Sequence, residues 1–83
     1  MTRLRRLAAR DLLRAFASLG FHVAGTRGSH AKPRRVLASG ETQTLTIPLH
    51  RDLAPGTVHA IFRKALRYVP EADLRPWFFS DER

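Results

Sequence analysis

The chain has 83 residues, a formal charge of +8 and no cysteine, which bounds it to one small basic domain (1–83) without disulfides or thiolate metal sites. No apolar run approaches the ~20 residues that a membrane span requires, and the basic N-terminus leads into a helix carrying Asp11 and Arg14, so neither a span nor a signal peptide is expected. Fifteen Lys and Arg stand against seven Asp and Glu, an excess that points to a polyanionic partner: nucleic acid, an acidic protein or an anionic membrane surface.

From Ala8 to Leu19, the residues Ala8, Leu12, Ala15, Phe16 and Leu19 recur at helical spacing and predict a helix with one buried face. Arg3, Arg6, Arg10 and Arg14 follow the same spacing opposite, as a solvated stripe or a binding surface. Gly20 suits a left-handed helix stop, and Phe21 after it is placed to touch Phe16. Phe21 and Val23, alternating with His22 and Ala24, read as a short half-buried strand, with a turn at Gly25–Ser29. A second strand is expected at about 30–37, bulged or truncated at Pro33, which has no N–H to donate. After a turn at Ser39-Gly40-Glu41, the third strand (42–49) is the strongest, with Leu45, Ile47 and Leu49 on one face and Thr44 and Thr46 on the other.

Thr57 is the expected N-cap of a second helix whose buried stripe is Val58, Ile61, Phe62, Ala65, Leu66 and Val69. Arg63, Lys64 and Arg67 face outward. Pro70 should open a short helical turn with acids nearby. Trp77, Phe78 and Phe79 follow, either packing on the sheet and last helix or forming a partner-binding patch.

The chemistry-bearing stretch is Arg27-Gly28-Ser29-His30, answered by Pro48-Leu49-His50. A free imidazole titrates near pH 6.5, so histidine can take or give a proton at neutral pH. His30 is the candidate acid or base, set by Ser29 and the Gly28 turn. Lys32 would share its strand face, and Arg27, Arg34 and Arg51 are candidates for gripping phosphate. His50 could supply a complementary proton transfer if the third strand brings it near His30, or simply orient its loop. His22 and His59 have no motif around them.

The order helix, three strands, helix resembles the HicA-type mRNA interferase toxins (the YcfA-like family). The matching residues are Leu19-Gly20-Phe21, Gly28-Ser29-His30, Thr46-Ile47-Pro48-Leu49-His50, Leu53, Gly56-Thr57 and Ile61, spanning about residues 8–69. Where the family carries bulkier apolar residues after the Gly-Ser-His motif, this chain has Ala31 and Pro33. The resemblance implies an α+β fold like double-stranded-RNA-binding domains: α-β-β-β-α, a three-stranded antiparallel sheet with both helices on one face, and here a C-terminal extension at 70–83. It also implies a cytoplasmic toxin of a type II toxin–antitoxin system, cleaving mRNA through His30 without a metal or other cofactor. The expected partners are RNA and a cognate HicB-type antitoxin, with no membrane, and oligomeric state is left open. The competing reading is a non-catalytic RNA-binding module of the same fold.

Overall fold

The computed structural model describes residues 2–81; the last two residues of the expected C-terminal extension lie outside the described residues. In chain order the elements are β1 (Thr2–Leu4), α1 (Ala9–Ser18), β2 (His22–Arg27), β3 (His30–Val36), β4 (Thr42–Thr44), β5 (Ile47–Pro48), α2 (Pro55–Ala65), α3 (Glu71–Phe78) and β6 (Phe79–Asp81). This is a small α+β fold with an antiparallel sheet in the order β2-β3-β4, and β5 also pairs with β3. The α1-to-α2 succession is that of double-stranded-RNA-binding domains.

The stripe of α1 buries Leu12, Ala15 and Phe16. No hydroxyl caps its start; instead the Ala8 N–H donates to the Asp11 carboxylate at 2.8 Å, so a side chain one turn in satisfies an otherwise orphaned donor. The helix stops as its sequence predicts. Gly20 takes φ +93°, the Phe21 N–H donates to Phe16 O at 2.9 Å and the Gly20 N–H to Ala17 O at 3.1 Å. That pair of bonds is a Schellman stop, and it seats the Phe21 ring edge-on against Phe16, centroids 5.6 Å apart.

The sheet departs from the local pattern in three places. Strand β2 is not half-buried: all six residues are exposed, and Val23 is 47% exposed where Phe21 is 1%. Phe21 belongs to the helix stop, and β2 is an edge strand outside the core. The strand also runs through Gly25 to Arg27, so the turn contracts to Gly28 and Ser29, with Arg27 paired to His30. The bulge expected at Pro33 lies instead in β2, where Ala24 and Gly25 face Lys32 alone between the pairs Val23↔Pro33 and Thr26↔Ala31. Two residues opposite one bend a strand without breaking its partner.

Pro33 therefore sits inside the central and longest strand. Its carbonyl still accepts from the Leu45 N–H at 2.9 Å, but it has no N–H to return. The ladder is interrupted at Leu45–Thr46 for that reason, which divides the single expected strand into β4 and β5. The register is unchanged across the gap, from Arg34↔Thr44 to Ala31↔Ile47. Ala31, Pro33, Gln43, Leu45 and Ile47 are buried, forming the helix-facing side. Leu49 is exposed, contrary to the alternation, because pairing with β3 ends at Pro48 and the Leu49 N–H turns to Ser29 O at 2.6 Å.

Helix α2 starts earlier than Thr57 would place it: Ala54 is the N-cap and Pro55 opens the helix, since proline's fixed φ is already helical and its missing donor is not needed there. Val58, Ile61, Phe62 and Ala65 are buried as expected, and a further turn reaches buried Val69 through its N–H to Ala65 O, 2.9 Å. The segment after Pro70 is a full helix rather than one turn, with Pro70 as N-cap. Leu74 and Phe78 join the same core cluster as Phe16 and Phe62. Strand β6 then pairs antiparallel with β1, Leu4 opposite Phe79, and the Arg75 guanidinium lies 4.5 Å over the Phe79 ring.

Arg35, half-buried on β3, ties the helix layer to the sheet. Its guanidinium donates to Leu19 O (2.9 Å) at the end of α1, to Tyr68 O (2.9 Å) beyond α2, and to the Gln43 side-chain oxygen from two nitrogens (2.7 and 3.0 Å). It also lies 4.6 Å from the centroid of Phe21. A cation suits carbonyls that a helix leaves without intrahelical partners at its C-terminus. Arg35→Ala should cost about 2–4 kcal/mol in urea unfolding, and Arg35→Lys should recover less than half of it, because a point charge cannot span the same acceptors.

Candidate functional site

The Gly28-Ser29 turn sets His30 in place. Gly28 has φ +59° while no non-glycine residue among those described has positive φ, the combination of a type II′ hairpin turn with glycine first. A Cβ at Gly28 would meet nothing within 4 Å, so glycine is required there by backbone conformation and not by crowding. The turn delivers His30 as the first residue of β3, opposite Pro48, with its ring exposed and Nδ1 3.5 Å from Ser29 Oγ.

His30 opens onto a cleft of about 430 Å³ beside α2. Leu45 and Ile61, both buried, form its floor. Thr46 and Thr57 are half-buried in its walls, and Lys64 is exposed at its rim with His30. Gly56 and Thr57 bring the first turn of α2 to the cleft, and that turn has neither a side-chain cap nor an acidic residue. A helix start in this state presents N–H donors and a partial positive charge. Among the described residues no carboxylate lines the cleft.

Of the other predicted site residues, Lys32 joins this neighbourhood: its Nζ donates to Thr46 Oγ1 at 3.4 Å. Arg27 and Arg34 are exposed on the hairpin, Arg34 opposite both His22 and Thr44. His50 and Arg51 are exposed but line a separate depression with Ala8, Ala9 and Arg10 at the start of α1. The loop carrying His50 is fixed through its backbone, with the Ala9 N–H donating to His50 O at 2.9 Å. The sequence pattern gives Thr57 as a helix cap, Thr46 as a strand residue and Lys64 as outward-facing, and it does not bring the three together at one cleft. Among the described residues no three His, Asp or Glu side chains cluster as metal ligands, and no helix is long and apolar enough to cross a membrane.

An exposed histidine on a glycine-set hairpin thus stands at a cleft that no carboxylate among the described residues lines, in a basic α+β fold. The family model described as HicA toxin of bacterial toxin–antitoxin systems matches residues 9–66, and the chain belongs to that family. Its role is thus that of the toxin in such a pair, and an antitoxin is its partner. No curated protein and no solved structure matches the chain.

Gly28→Ala would force a Cβ into a conformation that L-residues rarely adopt. It should lower stability by about 1–3 kcal/mol and shift the His30 ring resonances in a ¹H–¹⁵N NMR spectrum. Unchanged ring resonances would show that the turn does not position the histidine.

Proposed function

We propose that the chain is a metal-independent endoribonuclease that cleaves mRNA in the cytoplasm, with His30 as a proton-transfer group, and that a HicB-type antitoxin holds it in check. The observation that carries this reading is the exposed His30 ring on a cleft shared with Lys64 that no carboxylate among the described residues lines. RNA brings its own nucleophile. The 2′-oxygen bonds to phosphorus as its proton passes to a base, and the bond from phosphorus to the 5′-oxygen breaks as an acid protonates that oxygen. The products are a 2′,3′-cyclic phosphate and a 5′-hydroxyl. His30 performs one of the two transfers, a contribution typically worth 10²–10⁴-fold.

Lys64 at the rim, Lys32 beside Thr46 and the N–H groups opening α2 offset charge on the phosphate oxygens as the fifth bond forms. Gly28 and Ser29 hold the ring in place. Arg27, Arg34 and Arg51, with His50 in its own depression, contact the RNA strand beyond the reacting phosphate and supply affinity that falls with salt. The same surface suits an antitoxin that presents acidic side chains.

In EDTA, the purified protein should cut unstructured RNA and leave the matching DNA bound but intact, since DNA lacks the 2′-hydroxyl. His30→Ala should lower kcat by about 10²–10⁴-fold with the fold retained. RNA bound without turnover by the wild-type protein would instead identify a non-catalytic RNA-binding module.

A further inference from the structure

We infer that the cleft between α2 and the Leu45–Pro48 segment is a nucleobase subsite, which takes one base adjoining the scissile phosphate and gives the toxin a sequence preference. This rests on the ribonuclease reading of His30 and adds to it a determinant of specificity. The cleft is graded from apolar at depth to ionic at the mouth. Its floor, Leu45 and Ile61, is buried and has no polar side-chain atom to solvate a phosphate. A bare phosphate or ribose would lose its hydration there without replacement. The flat, weakly hydrated face of a base would not, and Pro48 and Ala60 add apolar contact at the sides. With His30 and Lys64 at the rim, a base seated inside leaves its own phosphate among the groups that would act on it.

The cleft volume, about 430 Å³, falls within the range of small-ligand pockets, and single-stranded RNA is read by splaying unstacked bases into such sites. Thr46 determines what is read. Its hydroxyl oxygen accepts from the Lys32 ammonium at 3.4 Å, and an ammonium has only donors. The Thr46 proton is therefore free to be given to the ligand, so the subsite favours a base that presents a ring nitrogen or carbonyl acceptor at that point. Thr57, half-buried on α2, offers a second hydroxyl.

The test uses DNA oligonucleotides carrying a single ribonucleotide in each of the sixteen dinucleotide contexts, so that one bond is cleavable and its neighbours are defined. The wild-type protein should show a preference in kcat/KM for one base on one side of the cut. Thr46→Val, which keeps shape and loses the donor, should flatten that preference by about tenfold. Ala60→Phe, on an exposed helical position that lines the cleft, should raise KM for every context with little change in kcat. Binding of all-DNA oligonucleotides by the His30→Ala protein, with and without Ala60→Phe, reads the subsite without turnover: the filled cleft should weaken binding at least fivefold. Equal kcat/KM in all sixteen contexts, or a preference and affinity that survive both variants, would overturn the subsite and leave the cleft to a protein partner. Cleavage that persists in His30→Ala would overturn the catalytic assignment alone.

Discussion

The guanidinium of Arg35 joins the helix layer of this small fold to its sheet. It reaches the last carbonyl region of α1, a carbonyl beyond α2 and the side chain of Gln43 on the neighbouring strand. A domain of this size has limited apolar area to hold its helices at a fixed height above the sheet. A planar cation with several donors supplies directional restraint that packing alone does not. Tyr68, one of its acceptors, lies just past the end of α2, so the clamp holds that end of the helix against the sheet.

Within that frame, Pro33 shapes the same region from the opposite side. Because it returns no hydrogen bond to Leu45, the sheet ladder lapses beside the cleft while the register holds. The ring itself is buried, so apolar contact offsets part of the lost bond. Ala31 and Pro33 fill the core face of β3, while His30 at its start stands exposed.

Much of this could be read locally, and the reasons are specific. The stop of α1 at Gly20 and Phe21, the core stripes of both long helices, and the turn before His30 depend on residues within one or two turns of each other. The family match over residues 9–66 agrees with the ordered fragments that carry the resemblance. Arg34 and Arg35, adjacent and chemically identical, show where local reading ends: one is exposed and the other clamps two helices, and the difference lies in partners 16 and 33 positions away. The pairing of β1 with β6 rests on three residues at each end of the chain, too few to carry a period. Lys64 faces outward on its own helix, and only the packing of α2 beside β5 makes that outward side the rim of a cleft. Trp77, 37% exposed, stays at the surface while Phe78 beside it is sealed in the core, a split that a run of three aromatics cannot announce.

The central claim is that the RNA's own 2′-oxygen makes the attack while His30 moves a proton. The chemistry of the cut ends tests it most directly. Mass spectrometry or ³¹P NMR of the fragments should find a 2′,3′-cyclic phosphate, or the monophosphate it hydrolyses to, on one side and a 5′-hydroxyl on the other. Fragments ending in a 3′-hydroxyl and beginning with a 5′-phosphate would mean that water, not the ribose, attacked phosphorus, and would contradict the account.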